Sequence, residues 1–403
     1  MTGLDGHRVY LDWNATAPLR PEARAAMLEA MDVAGNPSSV HAEGRTAKKI
    51  IEKARGQVAA LVGCEPSEVV FTSGATEAIH LAFSTRRWDC IALNDTEHDA
   101  VHATAQLNGA PVLMIDGKPL ELDCNVFDFY RDGDPRGSED LWRAYWEDRE
   151  QTLVCLSEAC GETGVVEFCN AATVWSDGEF WLRDATQLCG RAVWPGPYAQ
   201  APVNSASYGG RPAFRAASAH KLGGPKGVGC LVVRSGIDVE GKSSGGGQEQ
   251  GRRSGTENVI GIAGFGAAAE AAQRDLEAGV WEPVEKLRNI LEDRLAEAAA
   301  DTIFFGKESP RLPNTSCFAV PGWKGETQVM QMDLSGFAVS AGSACSSGKV
   351  NKASRVLMAM GFDEITASSA IRVSMGPTTT EAEVMAFADT WIDAYRRRKT
   401  RAA

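Results

Sequence analysis

Lys221 stands in Ser218-Ala219-His220-Lys221-Leu222-Gly223-Gly224, between a short apolar run and a glycine-rich turn. An amine partly withdrawn from water beside cationic or polar groups becomes nucleophilic near neutral pH and can condense with a carbonyl as a Schiff base. The plainer alternative is a solvated surface lysine. Asp184, in Leu182-Arg183-Asp184-Ala185-Thr186-Gln187, follows the strand-like run EFWL, where α/β sheets present ligand-facing residues. A carboxylate there can pair with a pyridinium nitrogen and keep a ring protonated as an electron sink, or it can simply cap a turn.

Gly74-Ala75-Thr76 follows the apolar run VVFT and opens a helix. The first backbone N–H groups and the helix dipole can then hold a phosphate dianion, with the Thr76 hydroxyl as a further donor; a generic strand-to-helix turn has the same pattern. His98 starts the next helix after CIAL, at the same edge of the inferred sheet. An imidazole there can stack on a planar ring or move protons, or serve only as a helix start. His41, His80 and His102 have no such context.

In Val339-Ser340-Ala341-Gly342-Ser343-Ala344-Cys345-Ser346-Ser347-Gly348, every residue after the valine is small, which predicts an exposed, flexible loop. A thiol in such a loop is not a core residue, and in a reducing compartment Cys345 reads as a nucleophile. Arg372 is the lone charge in the apolar run Ala370-Ile371-Arg372-Val373-Ser374. It is expected to turn inward and grip a carboxylate; an internal ion pair is the alternative.

Elements with short connections must position these groups. Residues 21–33 and 45–62 carry apolar residues at helical spacing. Short apolar runs then alternate with helix-like segments: EVVFT, a helix from Ala75, CIAL, a helix from His98, PVLMI, a helix around Leu141, and TLVCL. That rhythm predicts an α/β fold with a mostly parallel sheet. The Ala-, Glu- and Leu-rich stretch from Glu257 to Ala300 predicts long helices leaving one domain for another. The expected division is a large α/β domain over 17–258 and a smaller α+β domain built from 1–16 and 259–403, the latter including TSCFAV, AIRVSM and a helix over MAFADTWIDAYRRR.

With 403 residues, 44% of them apolar, the chain can bury a sizeable core. It shows no leader-like start and no run of about 18 apolar residues, so secretion and membrane spanning are not expected. Ten cysteines without a C-x-x-C pair indicate neither a metal site nor a disulfide framework, and reduced thiols in a cytoplasm are the simpler reading. The formal charge of −12 disfavours nonspecific attraction to nucleic acid or acidic lipid.

In this order and spacing the segments resemble the cysteine desulfurases of the nitrogen-fixation and iron-sulfur-cluster-assembly type, within the fold-type I pyridoxal 5'-phosphate (PLP) enzymes. The likeness begins at Tyr10-Leu11-Asp12-Trp13-Asn14-Ala15-Thr16-Ala17-Pro18 and Gly35-Asn36-Pro37-Ser38-Ser39-Val40-His41. It continues through Phe71-Thr72-Ser73-Gly74-Ala75-Thr76-Glu77, the stretch 218–229, and Gly251-Arg252-Arg253-Ser254-Gly255-Thr256-Glu257-Asn258, and ends at the Cys345 loop and Arg372.

The resemblance implies a seven-stranded-type sheet and a residue-by-residue set of roles. Lys221 would carry PLP, Asp184 would bind the ring nitrogen, Gln187 the ring hydroxyl, and His98 would stack on the ring. Ala75, Thr76, Ser218 and His220 would hold the phosphate, with Thr256 reaching across from a second subunit of a homodimer. Arg372 and Asn14 would contact the substrate, L-cysteine. The freed Lys221 amine would remove the α-proton, and the Cys345 thiolate would take the substrate sulfur as a persulfide, leaving alanine. An acceptor protein would receive that sulfur, for iron-sulfur clusters, tRNA thiolation or cofactor sulfuration.

One departure stands out: where the family commonly reads Asn-Asn-Glu-Thr-Gly, this chain has Cys160-Gly161-Glu162-Thr163-Gly164. Gln187 is the residue that could compensate. Regions 118–150 and 192–214 and Gln250 also depart from typical members. An aminotransferase, a selenocysteine lyase and a PLP-fold scaffold without turnover are the competing readings.

Overall fold

The computed structural model describes residues 4, 6–115, 129–130, 151–166, 179–192, 212–239, 245–342 and 353–402. The expected helix around Leu141 and the Cys345 loop lie outside these residues.

After β1 (Val9–Tyr10), the runs read as strands form β2 (Val69–Thr72), β3 (Cys90–Asn94), β4 (Val112–Ile115), β6 (Thr152–Ser157) and β7 (Glu179–Asp184), and the sheet also holds β8 (Phe214–Ser218), β9 (Gly229–Val233) and a two-residue β5 (Phe129–Tyr130). In β2, β3, β6 and β9 every residue is buried. A strand covered on both faces has no use for polar alternation, which is why these sequences read as continuous apolar runs. The strand order is β2-β9-β8-β7-β6-β3-β4-β5. β4, β3, β6, β7 and β8 run parallel, whereas β9 is antiparallel to both its neighbours and β5 antiparallel to β4. The short edge strand β5 makes this sheet one strand wider than the seven-stranded expectation.

One face is covered by α1 (Pro21–Met31), α2 (Ala42–Val62) and the helix Val259–Glu277. Ile51, Ala54 and Val58 of α2 share a core with Ile262, Phe265, Ala268 and Ala272 of that later helix. The other face is covered by α3 (Ala75–Ser84) and α4 (Asp99–Asn108), through Ile79, Phe83, Val101 and Ala105.

A second core forms around a four-stranded antiparallel sheet of β10 (Ile303–Phe304), β11 (Thr315–Ala319), β13 (Ser340–Ala341) and β14 (Ala370–Ser374), in the order β10-β11-β14-β13. Helices Trp281–Ala298 and Glu381–Ala402 supply Trp281, Leu291, Phe387 and Trp391 to it, and Val9 and Leu11 join from the N-terminus. β1 pairs in parallel with β12 (Phe337–Ala338). The passage from one core to the other therefore falls between Ala272 and Trp281, and we propose to divide the domains there rather than at 258/259. The first long helix looks interdomain in composition, yet it spends its apolar face on the large domain.

Among the described residues no helix is long and apolar enough to cross a membrane.

Candidate active site

Parallel strands in register bring their carboxyl ends to one edge: Ser157 of β6 lies opposite Asp184 of β7, and Asp184 opposite Ala216 of β8. The chain leaving β8 makes a single turn over Ala219–Lys221, so Lys221 lies beyond the same edge as Asp184. Asp184 is buried, and its Oδ1 accepts a hydrogen bond from Thr186 N at 2.9 Å. The Lys221 amine donates to two backbone carbonyls of the N-terminal segment, Asn14 O at 2.6 Å and Ala15 O at 2.9 Å. Gln187 Nε2 donates to that same Asn14 oxygen at 3.2 Å. Lys221 and Gln187 thus converge on one atom.

Beside them, Gly74 caps α3 and Ala75 opens it. A Cβ built on Gly74 would be 4.0 Å from Ser218 Oγ, and one built on Gly229 only 2.7 Å from Gly74 Cα. Glycine at 229 therefore lets the turn before α3 close against the end of β8, which brings Gly74, Ala75 and Ser218 into one cradle. Thr76 is exposed at its rim. His220 Nδ1 is 2.6 Å from Thr16 Oγ1. Burial, followed by the charges of Lys221, Lys226 and Arg191, pushes the His220 ring down to about 4, so it is neutral at pH 7.

His98 caps α4, its Nδ1 accepting from Ala100 N at 3.1 Å, and its side chain is exposed beyond β3. Thr256 is exposed on the segment after Arg253, which forms an ion pair with Glu77 of α3 at 3.0 Å.

Arg372 does turn inward, from β14, and the carboxylate it meets is the protein's own: Nη2 reaches Asp12 Oδ1 at 2.9 Å, while Nη1 donates to Gly161 O at 2.8 Å. Its Nε is buried with no hydrogen-bond partner among the described residues, as is Thr186 Oγ1 next to Asp184.

Asn14, expected to contact the substrate, bonds protein groups with its whole side chain. Its Nδ2 donates to Gly161 O and Thr315 Oγ1, and its Oδ1 accepts from Arg191 and Asn314. That exhausts what a primary amide can make. Its backbone oxygen is the part that faces Lys221.

Arg191 escaped the sequence reading. It is 2% exposed, and its guanidinium donates to Asn14 Oδ1, Gln187 Oε1, Trp13 O and Lys221 O. Burial first, and then the charge of Arg372, lowers it to about 9. Glu162 is also buried, with Ser354 Oγ donating to it. Burial raises its carboxyl to about 7, although Ser354, Arg372 and Arg355 pull the other way.

The profile of the aminotransferase class-V family matches residues 9–117 and 211–387. A cysteine desulfurase of Cereibacter sphaeroides is 36% identical over 381 residues, 94% of this chain and 93% of its own length. The chain belongs to the cysteine desulfurases of the aminotransferase class-V family. Cysteine desulfurase IscS of Dictyoglomus turgidum is 33% identical, covering 93% of this chain and 91% of its own. Among solved structures, a NifS-like protein from Rickettsia africae superposes with a TM-score of 0.80 at 27% identity, covering 97% of this chain and all of that one. Another NifS-like protein gives 0.78 at 29% identity, over 96% and 99% of the two chains. The fold is therefore that of the NifS-like fold-type I enzymes.

Cysteine desulfurases are in general PLP-dependent, and the residues here suit that group. A buried carboxylate complements a cationic ring nitrogen, a reachable lysine amine sits beyond the same strand ends, and a helix start beside Ser218 offers donors to a phosphate.

Proposed function

We propose that this chain is a PLP-dependent desulfurase that converts L-cysteine to L-alanine and carries the sulfur as a persulfide on Cys345 for an acceptor protein. The observation that carries the reading is the convergence of Lys221, Gln187 and Asp184 at the carboxyl edge of the parallel strands, in a chain of this family.

Asp184 would hold the ring nitrogen, Gln187 the ring hydroxyl, and Ser218, His220, Ala75 and Thr76 the phosphate. A neutral His220 in the tautomer that accepts from Thr16 at Nδ1 would carry its proton on Nε2, where it can donate to the phosphate. Bound PLP supplies a sink for the electron pair left at the substrate Cα. The Lys221 amine would take the α-proton, and His98 would stack on the ring. Arg372 would take the substrate carboxylate, with its buried Nε as the donor still to be satisfied.

The Cys345 thiolate then bonds to the substrate sulfur as the carbon–sulfur bond breaks. Cysteine and a thiol become alanine and a persulfide, with no outside oxidant. We place the protein in the cytoplasm as a homodimer, with Thr256 contributed across the dimer.

Purified protein given PLP should absorb in the visible and lose that band in Lys221→Ala. Cys345→Ser should keep the band and stop releasing sulfide from cysteine. A colourless wild type, or full sulfide release by Cys345→Ser, overturns the reading.

A further inference from the structure

Arg191 is a buried cation whose hydrogen bonds among the described residues include no carboxylate, and such a residue needs a reason to be charged there. Its four acceptors come from three stretches of chain: Trp13 O and Asn14 Oδ1, Gln187 Oε1, and Lys221 O. The same three stretches are joined a second time, because Asn14 O accepts from both Lys221 Nζ and Gln187 Nε2. The guanidinium is thus the hub of a closed ring of contacts whose rim holds the amine.

It also settles which way the Gln187 amide points. Arginine can only donate, so the atom at 2.6 Å from Arg191 Nη1 must be the amide oxygen, and the amide nitrogen is turned the other way. That nitrogen lies beside Gly161, 3.3 Å from where a Cβ would be. Any side chain at 161 would press on it. The missing side chain at Gly161 and the arginine four residues after Gln187 are therefore two halves of one arrangement.

We infer that Arg191 is a positioning residue: it sets the Asn14 carbonyl that receives the Lys221 amine and turns the Gln187 amide N–H into the space left open at Gly161. The inference rests on the functional reading above for its catalytic consequence, but not for its geometry.

The deciding variant is Arg191→Lys, since Arg191→Ala removes a buried hub outright and risks the fold. Lysine keeps the charge but offers three donors from one point where four acceptors surround a planar fork. Without PLP, the full chain is acetylated with acetic anhydride across a pH series, and modification of Lys221 is read from its peptide by mass spectrometry. In Arg191→Lys the Lys221 midpoint should fall by about half a unit or more, because its ammonium form loses well-placed carbonyl acceptors. With PLP bound, the same variant should lower kcat for cysteine about tenfold while KM moves less than about threefold, as expected when alignment rather than binding is lost.

A Lys221 midpoint and a kcat that both stay at wild-type values overturn the inference. Should wild-type protein take up no PLP, the functional reading fails, and the cofactor-free titration still decides the role of Arg191.

Discussion

Thr16 Oγ1 lies 2.6 Å from His220 Nδ1, tying the N-terminal segment to the residue that precedes Lys221. The pair makes a statement about acid stability. The folded His220 titrates near 4, below the ordinary 6.5, so the unfolded chain takes up the proton first. Its contribution is fully present above about pH 6.5 and is lost as pH falls toward 4. Urea unfolding midpoints of wild type should therefore drop more steeply between pH 7 and pH 5 than those of His220→Asn. Parallel curves for the two proteins would contradict this.

Glu162 works in the opposite direction. Burial raises its carboxyl from 4.5 to about 7, so across that window the folded chain holds a proton that the unfolded chain has released. Stability from this group is present below about pH 4.5 and declines as pH rises through 7. Relative to wild type, Glu162→Gln should gain on the order of 3 kcal/mol between pH 5 and pH 8. Chemical denaturation at those two pH values measures it, and a constant difference between the proteins speaks against the raised carboxyl.

Arg55 of α2 and Glu249 form a buried two-pronged ion pair, at 2.8 and 3.0 Å, and Glu249 also accepts from Phe71 N at 2.8 Å in the strand that leads to Gly74. Glu249 and the next residue, Gln250, sit at φ of 48° and 60°, a left-handed conformation that non-glycine residues seldom adopt. The ion pair holds that bend in place. Glu249→Ala takes the buried carboxylate from Arg55, leaving it the more exposed Glu52 at 3.3 Å and Val69 O, and should cost about 3 kcal/mol. A loss below about 1 kcal/mol by urea denaturation would show that the bend does not depend on the pair.

Asn14→Ala leaves partners unsatisfied at Thr315, Asn314 and Arg191. Stability should fall by about 2 kcal/mol or more. If the side chain touched substrate instead, KM for cysteine would rise with the denaturation midpoint unchanged.

The sheet was legible because its strands are covered on both faces: CIAL and TLVCL contain no polar residue that a solvent face would need beyond Thr152, which is itself buried. His98 was legible as a helix start because the cap is made locally, with Ala100 N. Arg372 could be read as an inward charge from its five-residue neighbourhood, but its partner Asp12 is 360 residues away and no local pattern names it. Arg191 was illegible for the same reason. Its contacts at Asn14 and Lys221 are 177 and 30 positions distant, and an arginine in Gln187-Leu188-Cys189-Gly190-Arg191 looks like any surface arginine. The motif around Asn14 marks the position as constrained without saying whether ligand or protein constrains it.

Residues 9–17 carry a practical lesson for anyone cutting or tagging this chain. Val9 N and Leu11 N donate to Gly336 O and Ala338 O in the C-terminal half, Trp13 N to Ser374 O, and Ala17 N to His220 O in the large domain. Fewer than about ten residues thus lace together parts of the polypeptide made far apart in time. A ribosome releases this lace well before the strands it joins and cannot tie it until they have emerged, so removing it would take Val9 and Leu11 out of the second core and leave the amine at Lys221 without a seat.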